Sequence, residues 1–108
     1  MDFNKENDLN INGIHFLEYL QDFITRRRQE MPEGSYTTKL FKSGINKIAQ
    51  KVGEEAVELV IEAKDQNDDL FLNEAADLTY HFIVLLAARG YSLTDVAEVL
   101  RKRHQNSG

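Results

Sequence analysis

The stretch that decides the fold of this chain reads Lys47-Ile-Ala-Gln-Lys51-Val-Gly-Glu54-Glu55-Ala-Val-Glu58 and, after an acidic loop, Asn73-Glu74-Ala-Ala-Asp77. In both halves carboxylates recur at a separation of three or four residues, which is about one turn of an α-helix. Each half lies among apolar residues that follow the same helical period. The pattern therefore predicts two helices, each with carboxylates along one side.

The apolar positions around this stretch predict an all-α fold of four main helices and one short helix. The main helices are expected over residues 14–31, 45–64, 70–89 and from 93 onward, and the short one over 36–42. The expected N-caps are Asn12 for the first helix, Ser35 for the short one, and Asp68 or Asp69 for the third main helix. Gly90 is expected to end that third helix in the left-handed conformation.

Residues 1–12 are polar and acidic, so we interpret them as a flexible lead-in to a single helical domain over residues 13–106. A domain of this size has a modest core. Val57 and Ile61 also give the second main helix an apolar edge beyond its carboxylates. We therefore expect the bundle to be completed by dimerisation, as a homodimer.

Cysteine content, charge and hydropathy restrict the possible functions. The chain has no cysteine, which excludes disulfides and zinc–thiolate sites and fits a reducing, cytoplasmic setting. Its formal net charge of −5 argues against general binding to nucleic acid, which needs a surplus of Lys and Arg. No apolar run approaches the roughly 20 residues that span a bilayer, and the first residues lack a secretory pattern, so no membrane association is expected.

The third main helix carries the carboxylates that are hardest to explain as solvated surface. Glu74, Asp77 and His81 project to one side of a helix that is apolar nearly all round, which predicts a place in the middle of the bundle. A buried carboxylate without a partner is costly. The sequence therefore requires something that neutralises this pair, namely basic partners, protonation or a divalent metal ion.

Basic partners are too few for this task. Lys47 and Lys51 share the polar stripe of the second main helix. They face five carboxylates: Glu54, Glu55, Glu58, Glu74 and Asp77. This imbalance favours Mg²⁺ or Mn²⁺, which take oxygen ligands and keep waters that substrate phosphates can replace. A ferritin-like di-iron site fits less well, because it needs Glu-x-x-His on each of two helices. We interpret His81 as a core histidine or as a support for the ligands.

At these residues the sequence resembles the all-α nucleotide pyrophosphohydrolases of the MazG-like superfamily, whose acidic signature is similar to Glu54-Glu55-x-x-Glu58 followed by Glu74-x-x-Asp77. Within that superfamily it resembles the phosphoribosyl-ATP pyrophosphohydrolase family most specifically. The segments that carry this resemblance are Gly34-Ser-Tyr-Thr-Thr-Lys-Leu-Phe41, Lys51-Val-Gly-Glu-Glu55, Ala75-Ala-Asp77-Leu-Thr-Tyr-His81 and Leu100-Arg-Lys-Arg-His104. The resemblance implies a helical bundle that assembles from paired subunits.

The resemblance also implies an activity: hydrolysis of phosphoribosyl-ATP, an ATP derivative, between its α and β phosphates, giving phosphoribosyl-AMP and pyrophosphate. The residue roles are hypotheses. The metal ligands are Glu55, Glu58, Glu74 and Asp77, holding Mg²⁺ with Mn²⁺ as a substitute. Glu54, or alternatively a neighbouring metal ligand, polarises the attacking water. The substrate contacts are Lys47, Lys51, Ser35, Tyr36 and Thr37, the last three with helix capping as the alternative.

Several alternatives remain open at this point. A housecleaning pyrophosphohydrolase of ordinary or damaged nucleoside triphosphates has the same acidic signature. A non-enzymatic helical dimerisation module is possible, but it leaves the acidic pair unexplained. The resembled family also includes domains joined to a phosphoribosyl-AMP cyclohydrolase, a zinc enzyme that uses cysteines. The sequence does not decide between an excised domain of such a bifunctional protein and a monofunctional enzyme.

Overall fold

The structure, a computed structural model, describes residues 11–107, so most of the expected lead-in over residues 1–12 lies outside the described residues. Within the described part there are five helices and no strand, which confirms the all-α fold class. The helices are α1 (His15–Glu30), α2 (Tyr36–Ser43), α3 (Ile45–Ala63), α4 (Asp68–Ala88) and α5 (Leu93–Ser107). The four main helices and the short one are those that the apolar pattern predicts.

Side-chain caps mark where α2 and α4 begin. Ser35 caps α2 as expected, since its Oγ accepts a hydrogen bond from the Thr38 N–H at 3.3 Å. For α4 the expected cap is wrong by one residue. The cap is Asn67, whose Oδ1 accepts from the Leu70 N–H at 3.1 Å, and both aspartates that follow it lie in the first turn. Their negative charges there interact favourably with the positive end of the helix dipole.

Two further helix ends bear on the predictions. Gly90 adopts φ +82°, as expected, and the Tyr91 N–H reaches back to the Leu86 carbonyl at 2.8 Å. This closing bond turns the chain from α4 into α5. The predicted Asn12 cap is wrong, because the residue that caps α1 is Ile14, which makes no side-chain capping bond within the described chain.

The core lies where α1, α2 and the start of α3 meet the C-terminal half of α4. Its buried apolar members are Leu20, Phe23, Ile24, Leu40, Ile48, Ile83, Val84 and Ala87. At the other end of α4, Leu70 and Leu72 are exposed. The prediction that α4 lies in the middle of the bundle therefore holds for its C-terminal half and is wrong for its N-terminal half, which extends beyond this core.

One apolar face of α3 is uncovered in the single chain. Val57 and Ile61 are each 60% exposed, and Val60 is 56% exposed. Large side chains of this kind seldom stand together on the surface of a monomeric protein. The face adjoins the exposed N-terminal half of α4 in the α3/α4 pair, which forms the most extensive helix packing among the described residues.

By length and composition α4 is apolar enough to cross a membrane, the one such helix within residues 11–107. The expectation that no apolar run reaches this length is therefore corrected. Helix α4 nevertheless carries Glu74, Asp77 and His81 along its length and supplies part of the core. Ionisable side chains are expensive inside a bilayer. The ionisable side chains therefore argue against a membrane-spanning role for α4.

Candidate functional site

Packing of α3 against α4 brings carboxylates of the two helices together. The Glu58 carboxylate of α3 hydrogen bonds to that of Glu74 on α4, and the charges of Glu55 and Asp77 act on the same group. Glu55 in turn lies within the electrostatic reach of Asp77, His81 and Lys51. Three of the residues predicted as metal ligands, Glu55, Glu58 and Asp77, therefore lie within electrostatic reach of the fourth, Glu74, between the two helices.

The clearest sign of crowding is the pKa of Glu74, which is raised above its ordinary value of 4.5. The largest cause is the hydrogen bond with Glu58, followed by desolvation and by the negative charges of Glu58, Asp77 and Glu55. Two carboxylates can form that bond only if they share a proton. One oxygen of Glu74, Oε2, is shielded from solvent and has no hydrogen-bond partner within residues 11–107.

Glu55 occupies the more enclosed side of the cluster. Burial raises the pKa of its carboxyl, the His81 imidazole acts in the opposite sense, and the Asp77 charge adds to the rise. Glu55 Oε1 lies 2.6 Å from Nδ1 of His81. The contact is close but lies outside hydrogen-bond geometry, so Oε1 is a buried oxygen without a hydrogen-bond donor among the described residues.

His81 joins this cluster to α2. Its Nδ1 is 2.9 Å from the backbone carbonyl of Asp77, one turn earlier in α4. Its Nε2 is 2.9 Å from the hydroxyl of Tyr36, the first residue of α2. The side chain is buried, and its ring makes edge contacts with Tyr36 and Tyr80 at centroid distances of 6.1 and 5.3 Å.

A cavity of 510 Å³ opens beside the carboxylates. Its lining residues are Leu20, Tyr36, Lys51, Glu55, Ala76, Asp77, Tyr80 and His81. One part of this lining is charged and the rest is aromatic or aliphatic. A cavity with both kinds of wall suits a ligand that joins anionic groups to a flat apolar ring.

Burial differs from the sequence expectation for the acidic pair of α4. Asp77 is exposed and Glu74 is half-buried, whereas both were predicted to be buried. The physical reason is that the core closes around Ile83, Val84 and Ala87, one to three turns further along the helix. In the single chain the acidic pair therefore lies at the border of the core.

The predicted catalytic residue, Glu54, lies apart from the cavity lining. Its side chain is exposed and its Oε2 accepts a hydrogen bond from the Gln50 amide at 3.0 Å. Lys47 is likewise exposed and does not line the cavity, whereas Lys51, one turn later, is half-buried and does. Adjacent positions on a helix differ by about 100° in direction, which explains why Glu54 and Glu55 have different surroundings.

The three predicted contacts at the start of α2 separate in the same way. The Ser35 hydroxyl caps the helix, and the Thr37 hydroxyl pairs with the Tyr80 hydroxyl. Both residues are buried. Tyr36 is the member of the three that lines the cavity. The capping alternative thus describes what Ser35 does in this structure.

Sequence reasoning did not single out several residues of the site. Tyr80, Leu20 and Ala76 line the cavity, and the only available signal was the position of Tyr80 next to His81 in the sequence. Glu62, one turn beyond Glu58 on the same stripe, has a buried Oε2 without a hydrogen-bond partner among the described residues. Its place on the stripe was visible in the sequence, but its burial was not.

The fit of a cation depends on the donor chemistry of this cluster. No three His, Asp or Glu side chains within residues 11–107 are already arranged closely enough to hold a metal ion. The cluster nevertheless contains oxygens of Glu55 and Glu74 that are buried and lack donors, and the pKa of Glu74 is raised by its carboxylate neighbours. Oxygens of this kind are the ligands that Mg²⁺ and Mn²⁺ prefer. The donor chemistry present is therefore of the kind that a divalent cation takes, but within residues 11–107 it is not gathered into a formed site.

Comparison with known proteins decides the family. The family model described as phosphoribosyl-ATP pyrophosphohydrolase matches residues 17–104. The chain belongs to the phosphoribosyl-ATP pyrophosphohydrolase family. The match to the family includes α2, α3 and α4 in full, and with them every residue of the carboxylate cluster.

Relatives within this family are of two lengths. The chain is 58% identical over 94 residues to the histidine biosynthesis bifunctional protein HisIE of Bacteroides thetaiotaomicron, covering 87% of this chain and 46% of that protein. It is 45% identical over 91 residues to the phosphoribosyl-ATP pyrophosphatase of Leptospira biflexa, covering 84% of this chain and 99% of that protein. A protein of the same description from Metallosphaera sedula is 49% identical over 87 residues, with 81% and 94% covered. The chain thus spans about half the length of its bifunctional relatives and nearly the whole of the shorter ones.

Proposed function

We propose that the chain hydrolyses phosphoribosyl-ATP to phosphoribosyl-AMP and pyrophosphate in L-histidine biosynthesis, by attack of water between the α and β phosphates. The observation that carries the proposal is the gathering of four carboxylates of α3 and α4 beside a cavity, in a chain of this family. The names of its relatives, which refer to phosphoribosyl-ATP and to histidine biosynthesis, support the substrate and the pathway. The lack of cysteine in the chain supports a cytoplasmic setting.

Glu55, Glu58, Glu74 and Asp77 would hold Mg²⁺, for which Mn²⁺ can substitute. The buried, donor-free oxygens of Glu55 and Glu74 support this assignment, because a cation would supply the positive charge they lack. When bound, the ion neutralises phosphate charge and orients the phosphates for in-line displacement. All four side chains are needed as carboxylates for this role, so an amide at any of these positions weakens the site.

The remaining roles belong to side chains around the cavity. Lys51 lies in the lining and carries a positive charge to the phosphates, and Lys47 extends the same stripe by one turn. Tyr36 belongs to the aromatic side of the cavity, with Ser35 and Thr37 holding the start of α2 in place. Glu54 remains the proposed residue for polarising the attacking water. Its Oε2 accepts a hydrogen bond from Gln50, and its other oxygen remains able to accept one from the water.

The proposed active form is a homodimer. The exposed apolar side chains of Val57, Val60 and Ile61 on α3, with Leu70 and Leu72 on α4, support it. Closed two-fold dimers are the commonest assembly of soluble proteins, and their interfaces are more apolar than the rest of the surface. A second copy on this face would also shield the half-exposed carboxylates from water.

The proposal is tested by measuring pyrophosphate release from phosphoribosyl-ATP with Mg²⁺ present. We expect Glu58→Gln and Asp77→Asn each to lower turnover by at least about 10- to 100-fold, the range seen when residues that merely support metal ligands are lost. Glu98→Gln is the matched control, since Glu98 is an exposed carboxylate on α5 that pairs with Arg101. Near-normal turnover in both cluster variants would contradict the assignment of these residues as metal ligands.

Two further experiments test the alternative functions. Competing dCTP and dUTP with phosphoribosyl-ATP in one assay separates the proposed enzyme from a housecleaning pyrophosphohydrolase, and we expect clear preference for phosphoribosyl-ATP. Thermal unfolding with and without Mg²⁺ addresses a non-enzymatic dimerisation module. We expect the ion to raise the melting temperature, because it binds the folded carboxylate cluster and not the unfolded chain.

A further inference from the structure

Tyr36 connects the start of α2 with the carboxylate cluster on α3 and α4. Its ring lines the cavity, while its hydroxyl oxygen lies 2.9 Å from Nε2 of His81. His81 is buried, so this hydroxyl serves a ring nitrogen that is shielded from bulk water. The contact crosses 45 residues of sequence, and it is therefore a product of the packing of α2 against α4.

The partners of His81 fix where its proton lies. A backbone carbonyl can only accept a hydrogen bond, so Nδ1 must carry hydrogen to bond the Asp77 carbonyl at 2.9 Å. In the neutral imidazole Nε2 is then an acceptor, and the Tyr36 hydroxyl donates to it. Each ring nitrogen thus has one hydrogen-bond partner, and in the neutral ring the two bonds fix both the tautomer and the orientation.

The orientation of this ring determines the surroundings of Glu55. Glu55 Oε1 lies 2.6 Å from Nδ1, and the side chains of His81 and Glu55 are 7% and 15% exposed. No hydrogen-bond donor among residues 11–107 reaches this oxygen. The edge of the imidazole that bears the Nδ1 hydrogen is therefore the polar surface against which the Glu55 carboxylate rests.

We infer that Tyr36 is a positioning residue for the carboxylate cluster: its hydroxyl holds the His81 ring, and the ring holds the Glu55 carboxylate in the site. The inference deepens the proposed function and rests on it where turnover is concerned. The hydrogen-bond chain itself is a property of the metal-free protein. Tyr36 thus acts through His81 and Glu55.

Tyr36→Phe removes this hydroxyl and keeps the aromatic packing. The ring of Tyr36 stacks on that of Tyr80 at a centroid distance of 6.2 Å and meets the His81 ring edge-on, and phenylalanine preserves both contacts. Nε2 then loses its donor in a buried place, so the ring is free to change tautomer or rotate. The Nδ1 hydrogen leaves its place between Asp77 and Glu55 when that happens.

Tyr80→Phe is the matched control. It removes the hydroxyl of the neighbouring tyrosine, which lines the same cavity and belongs to the same aromatic cluster. That hydroxyl pairs with the Thr37 hydroxyl and not with His81. The two variants therefore lose the same group from adjacent rings, with a hydrogen bond to His81 broken in one of them.

The first experiment records the ring-nitrogen NMR signals of ¹⁵N-labelled histidine in metal-free protein, at a pH where the signals themselves show a neutral His81 ring. The signals of His81 are assigned by their loss in His81→Asn. We expect the Nδ1–H tautomer in the unmodified chain and in Tyr80→Phe, and a mixture of tautomers in Tyr36→Phe. Unchanged His81 signals in Tyr36→Phe overturn the inference.

The second experiment measures Mg²⁺ affinity and steady-state kinetics in the same proteins. We expect Tyr36→Phe to weaken Mg²⁺ binding and to lower kcat by about 10- to 100-fold, with KM for phosphoribosyl-ATP nearly unchanged. A raised KM at unchanged kcat and unchanged Mg²⁺ affinity makes Tyr36 a substrate contact and overturns the inference. A lower melting temperature with no other change would show that Tyr36 only packs in the fold, and it would also overturn the inference.

A second set of variants tests the inference in case Tyr36→Phe folds poorly. The amide of His81→Asn places a donor near the Nδ1 position without reaching Tyr36, whereas His81→Leu places none. We expect His81→Asn to bind Mg²⁺ more tightly than His81→Leu, and equal affinities contradict the inference. If the unmodified chain binds Mg²⁺ but fails to hydrolyse phosphoribosyl-ATP, the proposed function falls, and the NMR and affinity results still judge the positioning role.

Discussion

Glu74 and Glu58 set two carboxylates from different helices against one another, and the raised pKa of Glu74 links the site to stability. The pKa of Glu74 is raised above 4.5, mainly by its hydrogen bond with Glu58, and burial raises that of Glu55. The folded protein therefore binds these protons more tightly than the unfolded chain does. Their contribution to the free energy of unfolding is present in full below about pH 4.5 and is lost as the pH rises through the folded-state pKa values.

We predict that Glu74→Gln stabilises the metal-free protein near neutral pH. The change removes one negative charge from the cluster and provides an amide donor for Glu58 without needing a proton. The difference in melting temperature between the two proteins is measured by thermal unfolding in the presence of a chelator, between about pH 5 and 8. We expect the stability advantage of the variant to grow as the pH rises. Addition of Mg²⁺ should reverse the order, since the variant has lost a ligand.

Glu98→Gln provides the control of opposite sign. Arg101 lowers the pKa of Glu98 through a hydrogen bond, so this carboxyl contributes stability that is lost as the pH falls. The variant should lose a small amount of stability near neutral pH and show no response to Mg²⁺ beyond that of the unmodified chain. An advantage of Glu74→Gln that does not depend on pH would contradict the shared proton.

At the scale of the helices, side-chain N-caps begin two of the helices that form the site, α2 and α4. Ser35 accepts the Thr38 N–H at the start of α2, beside the cavity, and Asn67 accepts the Leu70 N–H at the start of α4. Each satisfies a backbone donor that the helix itself leaves unpaired. Ser35 is buried and Asn67 is exposed, which sets the expected size of each contribution.

We predict that Ser35→Ala and Asn67→Ala each lower the free energy of unfolding by roughly 0.5–2 kcal/mol, the ordinary cost of losing a cap, with Ser35→Ala at the upper end. Denaturant unfolding measures both. Steady-state kinetics then separate capping from substrate contact. If Ser35 also contacts phosphate, KM for phosphoribosyl-ATP rises in Ser35→Ala and stays unchanged in Asn67→Ala. An equal KM in the two variants leaves Ser35 with the capping role.

At the scale of the whole molecule, the uncovered apolar face of α3 accompanies the incomplete enclosure of the carboxylates. The core of the single chain ends before Glu74 and Asp77, and Val57 and Ile61 are exposed on the neighbouring helix. Burial of a side chain of this kind is worth about 1.5–3 kcal/mol. Pairing of two copies through this face would bury several such side chains in each copy.

We predict that Val57→Glu shifts the protein from dimer to monomer, because two charges would face each other across a two-fold interface without partners. Sedimentation velocity at micromolar concentration measures the shift. Ile14→Glu is the control, since it places the same charge on another exposed apolar side chain outside α3 and α4. A stable monomer in the unmodified chain, or an unchanged dimer in Val57→Glu, contradicts the proposed assembly.

The sequence predicted the helices well because their signals are local. The hydroxyl of Ser35, the left-handed glycine at 90 and the apolar period of α3 act within a few residues of the chain. The start of α4 was misplaced by two residues for a local reason too. Asn67, Asp68 and Asp69 are all good caps, and only the backbone geometry selects Asn67 for the Leu70 N–H.

Burial and partnership were less accessible from the sequence. The period of α4 gave the side on which Glu74 and Asp77 lie, but it could not give where along the helix the core ends. It likewise placed Glu54 and Glu55 together, although the first is exposed and bonded to Gln50 while the second rests against His81. These differences come from the other helices, which no local pattern describes.

The sequence by itself thus determined the all-α class, the order of its helices, the family and the four carboxylates proposed to bind a cation. These follow from spacing along single helices, where residues three or four apart share a side. Only the tertiary structure decided which carboxylates lie against each other and that Tyr36 of α2 reaches His81 of α4. The physical reason is that contacts between helices depend on how the helices pack, which brings together side chains distant in the sequence.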